Sequence, residues 1–376
     1  MIDVKSRMQV PFVDLRAQYN SLKEEIDNAI FSVIRESEFI KGKYVSAFEK
    51  EFAEACGVKH CIGVANGTDA IYIVLKMLGI GEGDEVITVA NSWISSSETI
   101  TQAGARVVFV DTEADYYSID VDAIESRITA KTKAIIPVHL YGQPAEVDKI
   151  QELCRKHNLV MIEDCSQAHF ATIGGKQVGT FGLASTFSFY PGKNLGAYGD
   201  AGAVITNDDA LARKVRMYAG HGAIVKHQHE MEGINSRLDG LHAAILSVKL
   251  PYVKKWNDMR FRNACYLNEK LSGINGIAIP KIRERSTHIF HLYVVKSEKR
   301  DALQKHLKEN GIETAIHYPT PLPLLPAYKY LEHVAGDFPV TSANQEKIIS
   351  LPMFPELTKE QMDYMANVIS QFYASF

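Results

Sequence analysis

Val160-Met161-Ile162-Glu163-Asp164-Cys165-Ser166-Gln167-Ala168-His169 passes from an apolar run into a cluster of acidic and polar side chains. An apolar run that ends on chemistry is what a parallel strand reads like when both its faces are covered and its carboxyl end meets a ligand. Similar runs lie on either side, at Cys61–Ala65, Glu85–Val89, Val107–Val110, Ala134–Val138, Thr186–Phe189 and Ala203–Ile205. Helical patterns such as Asp69–Leu78 and Val147–Lys156 separate them, with Asp120 as a cap for the segment from Val121. This alternation predicts an α/β fold with a mostly parallel central sheet.

The alternation stops after Asp239. Leu241, Ile245 and Val248 mark one helical face, Pro251 breaks it, and Val253, Trp256 and Met259 begin another. Beyond lie a strand-like His288–Val295, a helical Asp301–Glu309, a Tyr318–Pro326 loop with four prolines, and a last helix with Met362, Met365, Ala366, Ile369 and Phe372 on one face. The expected division is a large domain over 1–250 with an amino-terminal arm, and a smaller α+β domain over 251–376.

Bulk properties exclude several classes of function. Lys+Arg number 41 against 45 Asp+Glu, which leaves no basic field for nucleic acid. The start, Met1 to Met8, lacks the order of a signal peptide, and no apolar run is long enough to span a bilayer, so a cytoplasmic protein without membrane attachment is expected. Five scattered cysteines without a Cys-x-x-Cys signal neither a disulfide framework nor a zinc site; most read as packing residues. His227 and His229 lack a third ligand at suitable spacing, so no metal is expected. Gly79 to Gly83 precedes a strand instead of opening a helix and fails as a dinucleotide fingerprint.

The strand ends carry the chemistry. Asn66-Gly67-Thr68-Asp69-Ala70 turns into a helix whose free N–H groups, with the Thr68 hydroxyl, can hold a phosphate; the alternative is a plain N-cap. At 163–169 a carboxylate can pair with a ring nitrogen or a metal, and the turn offers Gln167 and His169; capping a helix is the alternative. Thr186-Phe187-Ser188-Phe189 leads through Tyr190-Pro191-Gly192 to Lys193, an amine that can be desolvated enough to act as a nucleophile, against the ordinary fate of a surface lysine. A phosphate anchor, a partner for a pyridinium nitrogen and a Schiff-base amine are together the demands of pyridoxal 5'-phosphate.

These stretches, with Gly199-Asp200-Ala201-Gly202 and Asn235-Ser236-Arg237-Leu238-Asp239, resemble in order and spacing the motif series of the DegT/DnrJ/EryC1/StrS sugar aminotransferases. The resemblance runs from Pro11–Leu15 to Ile316–Pro319. It implies a fold type I pyridoxal phosphate enzyme in which Lys193 forms the Schiff base and Asp164 faces the pyridinium nitrogen. Gln167 would contact the ring hydroxyl, Gly67, Thr68 and Ser188 the phosphate, and Trp93 would stack on the ring. Asn235 would reach the phosphate of a neighbouring subunit, which implies a homodimer with shared active sites, and Arg237, His317 and Tyr318 would shape the substrate end. The implied reaction moves the amino group of L-glutamate to a nucleotide-linked keto-sugar, and the resemblance is closest to enzymes aminating C3 of dTDP-3-keto-6-deoxyhexoses. UDP- or dTDP-linked 4-keto sugars are an alternative substrate. A pyridoxal phosphate-dependent sugar dehydratase, in which the family replaces the lysine with histidine, and a non-enzymatic sensor are alternative functions. One departure stands out: where related chains read Ala-His-Gly-Ala, this one has Ala168-His169-Phe170-Ala171, which either narrows the pocket or alters packing.

Overall fold

A computed structural model describes residues 8–374. Residues 1–7, on which the signal-peptide reading mostly rests, lie outside the described residues.

Seven strands form the central sheet: β1 (His60–Val64), β2 (Glu85–Val89), β3 (Arg106–Val110), β4 (Thr132–Ile136), β5 (Val160–Asp164), β6 (Ala184–Ser188) and β7 (Gly202–Thr206). Their order across the sheet is β1-β7-β6-β5-β4-β2-β3. All seven match strands read from the sequence, with ends moved by a residue or two. Alternate residues serve two cores: Cys61, Ile87, Ile135, Phe187 and Ile205 pack on one face, and Ile62, Val86, Ala134, Ile162 and Val204 on the other. Both faces are covered, which is why most of these strands are built around apolar runs, while β6 buries the hydroxyls of Ser185 and Thr186 instead.

Strand β7 is the exception to the parallel sheet, antiparallel to both β1 and β6. No helix joins β6 to β7, and without a crossover the chain must return antiparallel. The connection therefore stays at the carboxyl end of β6, and it carries Lys193.

The helix Gly240–Lys249 runs through a 3₁₀ turn at Leu250–Tyr252 into the helix Val253–Leu271, with Pro251 at the break. Its inner face differs from the one expected: Ala243, Ile245, Leu246 and Lys249 are buried, while Leu241 and Val248 are half-buried. A second sheet, β8 (Ile277–Ala278), β9 (Tyr293–Ser297) and β10 (Ile348–Leu351), is antiparallel and shares a third core with the helices Arg300–Glu309 and Lys359–Ala374. The strand expected over His288–Val295 begins only at Tyr293. Before it, the His288 ring stacks on Phe290 at 3.8 Å and accepts the Phe290 N–H, while Phe290 takes φ +45°, so the backbone cannot join a ladder there. Asp120 does cap Val121–Ile124, a single turn.

Four cysteines are buried and Cys265 is exposed; all five are free. Among the described residues, no helix is long and apolar enough to cross a membrane.

Phe170 has φ +65°, a conformation that glycine adopts freely and a bulky side chain does not. Its ring does not line the large cavity described below; it packs 5.9 Å from Phe52, so the departure alters packing. Losing a buried phenyl costs about 3–5 kcal/mol, and relief of the backbone returns about 1 kcal/mol. Phe170→Gly therefore lowers stability by about 2–4 kcal/mol, read as a shift in the urea midpoint.

Candidate active site

Strand alternation separates the two acidic residues at the end of β5. Glu163 points away from the ligand edge into a closed pocket, where it accepts from the N–H groups of Gly179, Phe181 and Gly182 at 2.7–2.8 Å and faces His139 Nε2 at 3.2 Å. The Ala145 N–H donates to His139 Nδ1, which leaves the proton on Nε2 for Glu163. Burial pushes the Glu163 carboxyl up, but His139 and the backbone N–H groups outweigh it and hold the pKa below the usual range. With Cys165 this trio has metal-like spacing, yet the Glu163 oxygens and His139 Nδ1 are taken up by N–H groups, and Glu163 fastens the 179–182 loop to β5.

Asp164 points the other way, into a cavity of about 830 Å³ at the carboxyl end of the sheet. It is 5% exposed and its Oδ1 accepts the Ser166 N–H at 3.0 Å. Lys193 lines the same cavity, on a turn closed by its own N–H bonding the Tyr190 carbonyl at 2.8 Å. Asn194 pins that turn from behind, donating to Asn257 and to the Ile289 carbonyl and facing His291 Nδ1 at 3.1 Å. Burial lowers the Lys193 pKa to about 8, while the charge of Asp164 pulls it up. About a tenth of the amine is then neutral at pH 7, far more than for a solvated lysine. Capture of pyridoxal phosphate by the cofactor-free protein should therefore accelerate with pH up to about 8 and level off above it, as stopped-flow absorbance would show.

A third wall is the start of the helix Gly67–Met77, where Asn66 caps the Asp69 N–H at 2.8 Å. Thr68 Oγ1 lies 2.7 Å from Ser95 Oγ, and Gly67, Thr68, Ser95 and Ser188 all line the cavity. Gly67 lies so close to β6 that a Cβ would sit 2.8 Å from Ser188 Cβ. Gly67→Ala must push the helix start off the strand, at about 1–3 kcal/mol, and so weakens cofactor affinity about 10-fold or more in a fluorescence titration.

Gln167 is wedged across the cavity wall: its Oε1 accepts the Tyr141 N–H at 2.7 Å and its Nε2 donates to the Tyr318 hydroxyl at 3.1 Å. Tyr318 faces Trp93 at 5.9 Å, and Trp93 is 59% exposed at the cavity mouth. His317 stacks on Phe12 at 5.7 Å, bonds Ser350 Oγ, and is held neutral by burial with a pKa of about 4. His169, which shares the turn with Gln167, does not line the cavity; it lies between the rings of Phe187 and Phe189.

Asn235 and Arg237 do not line this chain's cavity; Asn235 is exposed on the segment bridged to Gly220. His227 and His229 form no metal-like cluster among the described residues, and His229 bonds the His221 carbonyl. Sequence reasoning missed Phe12, Asp200, Arg260 and His291, which also line the cavity. Asp200 had a signal, standing within a quoted motif; Arg260 and His291 arrive from distant segments with none.

The residues present fit pyridoxal phosphate. A helix start pressed onto Ser188 offers N–H groups and a hydroxyl to an anion, and Asp164 and Lys193 share its cavity.

The DegT/DnrJ/EryC1/StrS aminotransferase family matches residues 20–370. A pleiotropic regulatory protein of Geobacillus stearothermophilus is 46% identical over 98% of this chain and 100% of its own length. The dTDP-3-amino-3,6-dideoxy-alpha-D-galactopyranose transaminase of Aneurinibacillus thermoaerophilus is 41% identical over 96% of this chain and 99% of its own. Aminotransferases named for UDP-linked 3-dehydro and 3-oxo sugars match as well. The crystal structure of S. venezuelae DesV in complex with a ketimine intermediate superposes with a TM-score of 0.95 at 39% identity, covering 97% of this chain and 98% of that one. The chain belongs to the DegT/DnrJ/EryC1/StrS family and is a pyridoxal phosphate-dependent sugar aminotransferase.

Proposed function

We propose that the protein moves the amino group of L-glutamate to C3 of a dTDP-linked 3-keto-6-deoxyhexose, giving a dTDP-3-amino-3,6-dideoxyhexose. The observation that carries the transfer chemistry is the meeting of Lys193, Asp164 and the helix start at Gly67 in one cavity. The choice of sugar leans on the relative named for a dTDP-3-amino-3,6-dideoxyhexose.

When bound, pyridoxal phosphate supplies an electron-accepting ring that makes an amino acid's α-proton removable. The N–H groups at Gly67 and Thr68, with the Thr68 and Ser188 hydroxyls, would hold the phosphate. Asp164 would hold a proton on the ring nitrogen, Gln167 would meet the ring hydroxyl, and Trp93 would stack on the ring. Lys193 Nζ takes the α-proton of the amino donor in one half of the cycle and returns a proton to the sugar carbon in the other. Its pKa of about 8 suits both directions near neutral pH. His317 and Tyr318, which line the cavity, would contact the substrate.

We further propose a homodimer in which Asn235, exposed and away from its own cavity, reaches the phosphate in the neighbouring subunit. Mass spectrometry of the product tests the substrate. Incubation with L-[15N]glutamate and the dTDP-3-keto sugar should yield a 15N-labelled amino sugar; labelling only of a UDP-linked or a 4-keto sugar would replace this reading with that alternative.

A further inference from the structure

Lys249 ends the helix Gly240–Lys249 and is 1% exposed, yet it forms no ion pair among the described residues. Its Nζ donates to the Gly196 carbonyl at 2.8 Å and lies 4.2 Å from the centre of the Tyr198 ring. No other hydrogen bond reaches that carbonyl among the described residues. Gly196 belongs to the turn that bears Lys193. The turn is held at its start by Lys193 N–H on the Tyr190 carbonyl and at its end by Ala197 N–H on the Phe189 carbonyl at 2.7 Å. It is drawn so tight that a Cβ on Gly196 would lie 2.4 Å from the Pro191 oxygen.

Glu356 is the acidic group that acts on this ammonium, yet it makes no direct ion pair with it, and burying an ammonium without one is unfavourable; an apolar side chain of similar volume would pack there at lower cost. Burial drives the Lys249 pKa down to about 8, although the charge of Glu356 pulls it up. Stability does not account for a lysine here. A donor long enough to cross from the helix to the far end of the catalytic turn does.

We propose that Lys249 is a positioning residue for Lys193: its hydrogen bond to Gly196 fixes the turn that aims the Lys193 amine into the cavity. The proposal rests on Lys193 being the reactive amine, and its test has a readout that does not need turnover.

Amide hydrogen exchange and steady-state kinetics are compared for wild type, Lys249→Met and the exposed-site control Lys255→Met, with and without pyridoxal phosphate. Lys249→Met should speed exchange about 10-fold at the Lys193 and Ala197 amides while the central strands keep wild-type protection. It should lower kcat about 10- to 100-fold, as expected of a misaligned group, with KM for both substrates within about two-fold. Lys255→Met should change neither. Tyr198→Leu, which removes the ring beneath the ammonium at an exposed position, should act in the same direction more weakly and serves if Lys249→Met fails to fold. Unchanged exchange at Lys193 and Ala197 would overturn the proposal, as would faster exchange there with full kcat. Local loosening in a protein whose wild type transfers no amino group would leave the turn contact standing and overturn the functional reading instead.

Discussion

Lys193→Ala should lower the rate of amino transfer from L-glutamate by about four orders of magnitude or more, with little loss of phosphate affinity. The amine is the group of the cavity suited to moving a proton at the donor's α-carbon: it lines that cavity and has a pKa of about 8. Removing a group that acts both as nucleophile and as proton carrier removes two contributions at once, and such losses are large and not additive. On the proposed reading, phosphate anchoring would fall to different elements, the start of the helix Gly67–Met77 and Ser188, so inorganic phosphate or cofactor should still bind. Single-turnover absorbance with saturating glutamate measures the first quantity and equilibrium dialysis of cofactor the second.

Asp164→Asn should cost about 10²- to 10⁴-fold in kcat while leaving the fold intact. Asparagine is nearly isosteric and can still accept the Ser166 N–H through its oxygen, so the strand end keeps its geometry. What is lost is the negative charge in a buried site, where a carboxylate facing a cation is worth far more than in water. The same charge raises the Lys193 pKa against burial, so its removal should move the pH midpoint of cofactor capture below about 8. A fall in rate without that acid shift would mean that Asp164 acts on the cofactor alone.

The sheet was legible because most of its strands are short apolar runs covered on both faces and separated by helical patterns. The reversal of β7 was not, since nothing in Ala203–Ile205 distinguishes an antiparallel strand; it goes with a connection through Lys193 that holds no crossover helix. His288–Val295 carried strand-like residues, but a ring stacked on Phe290 and a positive φ took its first half out of the ladder. Within the site, Lys193, Asp164, Gly67, Thr68, Trp93, Gln167, Ser188, His317 and Tyr318 meet in one cavity, while Asn235 and Arg237 stand apart from it. From the strand pattern alone the adjacent carboxylates of Glu163 and Asp164 look alike, and only the family resemblance singled out Asp164, the one that lines the cavity. Lys249 was hidden more deeply: the helical face drawn through Leu241, Ile245 and Val248 passes it over, and only tertiary contact shows the amine on Gly196.

The most direct test is the visible spectrum of the purified protein with pyridoxal phosphate, before and after L-glutamate and again after a dTDP-3-keto-6-deoxyhexose. The expected result is a long-wavelength band that glutamate abolishes and the keto-sugar restores, with no such cycle in Lys193→Ala. A wild-type band that glutamate leaves unchanged, or a cycle that persists in Lys193→Ala, would contradict the assignment of Lys193 as the amine that carries the reaction.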